Sequence, residues 1–175
     1  YAQLTPNLID DNFHKGNSLH ELEIEAIVKV LEQQKPNLVL IDALTSKPEE
    51  FGENLKKRLS FECKIISENK ADLNYEIVAA ASIAAKELRE QELWEIKTNV
   101  HKILNPSSPS LASGTESLVG SGYPSDKKTQ EFLKNYYDSQ EFGFIFRKSW
   151  NTYQNIIKDK FHKTLDEHIE KETNN

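Results

Sequence analysis

The chain has 175 residues and a net charge of −6, from 28 acidic and 22 basic side chains. That length suits one domain of ordinary size, and the acidic balance argues against broad electrostatic attraction to nucleic acid, which shows as a basic excess. A single cysteine, Cys63, excludes an internal disulfide and points to a reducing cytoplasm, while the longest nearly apolar stretch, Ile77 to Ala85, is too short to span a membrane.

The pattern predicts a short strand over Tyr1 to Thr5 and then a turn that holds Asp10 and Asp11. Ser18 and Glu21 form an S-x-x-E capping box ahead of a helix with Leu19, Leu22, Ala26, Ile27, Val30 and Leu31 on one face; Lys35 and Pro36 end it. Leu38 to Ile41 is a buried strand closed by Asp42. A helix opened by Pro48 follows, with Phe51, Leu55 and Leu59 in register. The strand Glu62 to Ser67 then completes a βαβ unit, which requires a parallel pair; Cys63 within it reads as a small buried hydrophobe. Tyr75 to Lys97 is a long helix, alanine-rich first and charged later. Glu87, Glu90, Glu92 and Glu95 alternate with Lys86, Arg89 and Lys97, which makes a solvated face rather than a metal cluster. Asn105 to Ser121 is a loop whose glycines lack the Lys-Ser/Thr of a phosphate-binding loop. Ser125 caps a helix carrying Phe132, Leu133, Tyr136 and Tyr137. A last amphipathic helix starts near Ser149, with Trp150, Tyr153, Ile157, Phe161 and Leu165, and runs into a polar tail. The histidines at 14, 20, 101, 162 and 168 show no zinc pattern.

Asp42 ends one strand, and Asp72, in the triplet Lys70-Ala71-Asp72, follows the exit of the next. Carboxylates at one edge of an open α/β sheet stand where such folds carry chemistry, and a pair of them suits two divalent cations and phosphodiester hydrolysis. Spacing alone leaves a plainer reading open, since strand-terminal aspartates often cap the next turn.

Tyr75 to Lys86 reads Y-E-I-V-A-A-A-S-I-A-A-K, Gly120 to Asp126 reads G-S-G-Y-P-S-D, and Arg147, Lys148, Ser149 and Trp150 follow. In this order and spacing the chain resembles ribonuclease HII, most closely the archaeal form, from Leu4-Thr5-Pro6 and Ile9-Asp10 to Trp150. The resemblance implies an α/β fold: a partial ribonuclease H-like domain, mixed sheet with flanking helices, plus a helical C-terminal part. The expected division is a catalytic domain at 1–148 with an insertion at about 105–121, then a helix and tail at 149–175. The family site has four carboxylates and two Mg²⁺ or Mn²⁺ ions. Asp42 matches the third carboxylate and Asp72 the fourth; the Asp-Glu pair and Gly-Arg-Gly that open the family have no match here, so the chain is expected to lack its beginning. Tyr123 matches the tyrosine that stacks on the sugar past the ribonucleotide, where an aromatic face tolerates no 2′-hydroxyl. Ser82 and Lys86, one helical turn apart, become site-side groups, with core packing the plainer reading of Ser82, and Arg147 reaches a backbone phosphate or pairs with a carboxylate. Lys127, Lys128 and Lys148 supply further local positive charge. Asn69, His20 and Glu90 depart from the family's usual His, Asn and Asp without removing a ligand. The implied substrates are RNA/DNA hybrids and duplex DNA with embedded ribonucleotides, cut on the 5′ side of the ribonucleotide by a monomer. The sequence gives no support for a sliding-clamp partner.

Two other readings compete. Lys35 to Asp42, K-P-N-L-V-L-I-D, is also like the phosphoacceptor strand of a signalling receiver domain, but Asp10 and Asp11 lie in a turn and the chain runs too far past Asp42. A non-catalytic hybrid-binding fragment is the second. Without the family's first strand, the strand ending at Asp42 would expose an apolar edge, so the chain alone is expected to fold poorly and to be inactive.

Overall fold

A computed structural model describes residues 1–107 and 118–160. They fall into two compact units, one covering Tyr1–Gln91 and the other beginning at Glu92.

Residues 1–5, where the sequence suggests a strand, form none, and the first unit opens with helix α1 (Pro6–His14) where the sequence suggests a turn. The Thr5 hydroxyl accepts the Leu8 N–H at 3.3 Å and Pro6 takes the first helical position, so cap chemistry decides the segment; Asp10 and Asp11 are helical. Helix α2 (Leu19–Gln34) is capped by Ser18, whose hydroxyl accepts the Glu21 N–H at 3.1 Å. The return half of the capping box is not made, because the Glu21 carboxylate pairs with Arg58 instead. Lys35 ends α2 in the left-handed region, φ 44°, and donates its N–H to the Leu31 carbonyl. Ile24, which lies off the predicted stripe, is the most deeply buried residue of this helix at 2% exposure.

Strand β1 (Leu38–Asp42), helix α3 (Pro48–Arg58) and strand β2 (Lys64–Glu68) form the expected βαβ unit, with β1 and β2 parallel from Leu38 opposite Lys64 to Asp42 opposite Glu68. The α/β class holds. Among the described residues the sheet has these two parallel strands, so the mixed pairing of a larger sheet does not appear. Strand β2 starts two residues later than Glu62, leaving Cys63 buried just ahead of it, and Leu59 caps α3 rather than extending its face. Helix α3 approaches β2 closely at Gly52, where an added Cβ would stand 3.3 Å from the Ser67 Cβ. Ile24, Phe51 and Leu55 form the core here, with Ile27, Val28, Ile41 and Ile65 packed around it. Each such side chain contributes about 1.5–3 kcal/mol by leaving water.

A four-residue helix, α4 (Ala71–Asn74), precedes α5 (Glu76–Leu104). The latter continues past Lys97 because Leu93, Ile96, Val100 and Leu104 prolong the apolar spacing. In the second unit, Leu93 and Val100 join Val119, Phe132 and Leu133 of α6 (Lys127–Tyr136), Phe142, Phe146, and Tyr153 and Ile156 of the helical residues 151–160. Phe142 is 1% exposed, with its ring against Phe132 and Tyr136. The cap of α6 is Asp126, not the predicted Ser125: its carboxylate accepts the Lys128 N–H at 3.1 Å. Phe161 and Leu165 of the predicted last helix lie outside the described residues, as does most of the 105–121 loop. No helix among the described residues is long and apolar enough to cross a membrane.

Candidate carboxylate corner and tyrosine loop

Asp42 is the last, exposed residue of β1, and its Oδ1 accepts the Lys70 N–H at 2.8 Å. Its register partner Glu68 ends β2, and the Glu68 carbonyl accepts the Ala43 N–H at 2.9 Å. The chain leaving β2 is thus tied twice to the chain leaving β1. Lys70 sits in the left-handed region, φ 58°, at a cost of about 1–2 kcal/mol for a residue with a Cβ, and turns the backbone into α4. Asp72, half-buried in the first turn of α4, follows two residues later, on the segment that Asp42 holds through the Lys70 N–H. The Glu68 carboxylate accepts the Tyr75 hydroxyl at 2.6 Å and the Asn74 amide at 2.8 Å. Those bonds, Tyr75 first, hold the Glu68 carboxyl below its ordinary range, and the same contact raises the Tyr75 phenol.

Among the described residues no three His, Cys, Asp or Glu side chains converge as a metal site. Asp42 and Asp72 nonetheless offer the hard oxygens that Mg²⁺ and Mn²⁺ prefer, and Mg²⁺ is commonly held by one or two carboxylates, with water and phosphate supplying the rest. Glu87 and Glu90 bond to Gln91 and Arg89 on the exposed part of α5, which fits the solvated-face reading.

Asp42 and Ser82 line one open groove of about 720 Å³. Its walls are otherwise apolar: Leu38, Leu40 and Ile41 of β1, Ile27 of α2, and Ile77, Val78, Ala81 and Ala85 of α5. Ile77 is 67% exposed there. Lys86 is exposed one turn beyond Ser82.

In the second unit, Gly120 and Gly122 take φ of 73° and 77° in a turn strapped from inside. Asp126 accepts the Ser121 N–H; the Thr129 hydroxyl accepts the Gly122 N–H at 3.0 Å and shares its proton between Val119 and Asp126. A Cβ on Gly120 would lie within 2.8 Å of Asp126 Oδ2, Thr129 Oγ1 and the Thr129 nitrogen, so only glycine fits. These donors, the Ser121 N–H foremost, lower the Asp126 carboxyl. The turn holds Tyr123 outward, 54% exposed. Arg147 is half-buried and lines, with Gly122, a largely apolar cavity of about 120 Å³; its Nε is buried without a partner among the described residues. The supports Glu68, Asp126 and Thr129 are absent from the sequence reading. Only the position of Asp126 just before α6 signalled a cap.

The family model for ribonuclease HII matches residues 7–153. The chain is 37% identical to a ribonuclease HII of Pyrococcus abyssi over 174 residues, 96% of this chain and 69% of that protein. It is 38% identical to one of Methanocella arvoryzae over 89% of this chain and 63% of that protein. The crystal structure of the ribonuclease H2 from Pyrococcus horikoshii superposes with a TM-score of 0.68 at 34% identity, covering 91% of this chain and 68% of that one. A ribonuclease HII solved in complex with PCNA, from Archaeoglobus fulgidus, superposes with a TM-score of 0.65 at 27% identity, covering 89% of this chain and 66% of that one. The chain spans about two thirds of the length of the relatives it matches. With the family model running through both Asp72 and Tyr123, the chain belongs to ribonuclease HII, a family of hydrolytic enzymes.

Proposed function

We propose that the chain carries half of the carboxylate set, and the sugar-reading tyrosine, of an endonuclease that hydrolyses the phosphodiester 5′ to a ribonucleotide in RNA/DNA hybrids or duplex DNA, leaving 3′-hydroxyl and 5′-phosphate ends. The observation that carries this is the Asp42–Lys70 hydrogen bond, which draws the strand-end carboxylate to the segment bearing Asp72. Two divalent ions, Mg²⁺ or Mn²⁺, bound with the help of Asp42 and Asp72 would activate the attacking water and neutralise charge on the leaving oxygen. The protein's own task is to hold both carboxylates in place while the substrate is oriented. Tyr123, held out by its strapped turn, offers a face for the deoxyribose beyond the cut. Ser82 beside the groove, Lys86 and Arg147 serve backbone contacts. The receiver reading falls with membership of ribonuclease HII, and Asp10 and Asp11 are helical rather than an acidic pair after a strand.

A second reading has its own observation. Strand β1 pairs on one side with β2, and its other side borders the apolar groove. A chain with that groove uncovered is a hybrid-binding but non-cutting fragment, and a further strand with more carboxylates completes the enzyme. We retain for the first reading the expected catalytic part at 1–148 with a C-terminal part from 149 onward, and a cytoplasmic monomer. The test is a duplex with one embedded ribonucleotide, incubated in Mg²⁺ and then Mn²⁺, with Asp42→Asn as control. Cleavage 5′ to the ribonucleotide, lost in Asp42→Asn, supports the first reading. Binding of the duplex without cleavage supports the second, and neither binding nor cleavage refutes both.

A further inference from the structure

We propose that Glu68 is a positioning residue whose carboxylate, closed on Tyr75 and Asn74, sets where Asp72 stands relative to Asp42. This rests on the reading of Asp42 and Asp72 as metal-holding groups. The corner from Glu68 to Tyr75 has two halves with different supports. Its first half is fixed to the end of β1 by the Ala43–Glu68 backbone bond and the bond from Lys70 to Asp42. Its second half is α4, a helix of four residues, too short to hold itself, since helix nucleation is unfavourable before propagation begins. Ala71 is fully buried and anchors its start, but Leu73 is 77% exposed and contributes little packing. The backbone bonds from Leu73 to Lys70 and from Tyr75 to Ala71 stay inside the corner. Among the side-chain bonds of the described residues, those of Glu68 return the far end of the corner, Asn74 and Tyr75, to β2. Both are charge-assisted and so stronger than neutral pairs. Asp72 lies between the anchored start and this clasp.

A rival role for Glu68 is that of a third metal ligand, since it stands opposite Asp42 in the sheet register. Its two oxygens are already engaged, one by a hydroxyl and one by an amide, so ligation would break both bonds. The positioning role uses the geometry as it stands. Groups that orient metal ligands typically change metal affinity on the order of 10–100-fold when removed.

The test uses Glu68→Gln and Tyr75→Phe in the full chain, with Mn²⁺ binding followed by calorimetry and Asp42→Asn and Asp72→Asn as references. Each variant should raise the Mn²⁺ dissociation constant by about tenfold. The double variant should bind no more weakly than the weaker single, because both substitutions act on the one Glu68–Tyr75 contact. Ultraviolet titration of Tyr75 in Glu68→Gln should show its phenol ionising at lower pH than in the parent. If both variants melt earlier yet bind Mn²⁺ as the parent does, Glu68 is a structural clasp and the proposal is overturned alone. If Glu68→Gln abolishes binding while Tyr75→Phe leaves it intact, Glu68 is a ligand and the proposal is again overturned. A parent that binds no Mn²⁺ through Asp42 and Asp72 overturns the site reading and this proposal together.

Discussion

At Asp42 one carboxylate oxygen already holds the Lys70 amide, and two substitutions separate that task from the charge. Asp42→Asn keeps an oxygen acceptor, so its melting temperature should match the parent's while hybrid cleavage drops by about 100-fold or more, the cost of a lost metal-holding charge. Asp42→Ala should lose the same activity and also about 1 kcal/mol of stability, visible in urea titration, because the Lys70 N–H loses its acceptor. Tyr123 is exposed, so Tyr123→Ala should leave folding unchanged and weaken hybrid binding by about 1–3 kcal/mol, roughly 5- to 150-fold in Kd, with Tyr123→Phe near the parent. The pH dependence follows from Glu68, Asp126 and Tyr75. Both carboxyls titrate lower in the folded chain than in the unfolded one, so their contribution is complete above the ordinary carboxylate range and is lost as pH falls through the lowered folded values. Tyr75 titrates higher when folded, so its contribution is complete below the ordinary tyrosine range and is lost as pH rises through the raised value. Melting curves taken downward from pH 7 should therefore fall less steeply for Asp126→Asn than for the parent.

Elements with local signals were legible in the sequence. Ser18 ahead of α2, Pro48 at the start of α3 and the apolar run of β1 each carry their cause within a few residues. Where two local rules competed, the reading failed: the segment holding Asp10 and Asp11 reads as a turn, but the Thr5-Pro6 cap makes it a helix, and Ser125 and Asp126 are neighbouring acceptors of which only geometry selects one. The candidate site divides in the same way. Asp42, Asp72 and Tyr123 were found through motifs, whereas Glu68 acquires meaning only from strand register and a contact seven residues away. Nothing in the letters marks Lys70 as left-handed. The tyrosine turn offers the sharpest test at this scale: Gly120→Ala forces a Cβ into Asp126 and Thr129 and should cost at least about 1–2 kcal/mol from the left-handed φ alone. Its denaturation midpoint should fall, and hybrid affinity should fall with it because Tyr123 loses its support. Unchanged affinity would disconnect the turn from substrate.

For the molecule as a whole, the apolar groove beside β1 governs behaviour in solution. Leu38 is 49% exposed on this strand, and an uncovered apolar edge invites pairing with other chains. Leu38→Lys should reduce light scattering on concentration without lowering the melting temperature, as charged edges do in natural sheets. Scattering unchanged by that substitution would acquit the edge. The parallel register also assigns each amide of β1 a side. Ala43 donates to Glu68, so alternation turns the N–H groups of Val39 and Ile41 toward β2 and those of Leu40 and Asp42 toward the groove. Hydrogen exchange along this strand should then read as a comb, slow and fast by turns. Slowing at Leu40 and Asp42 alone would register any strand that comes to lie in the groove, well before such a partner is identified.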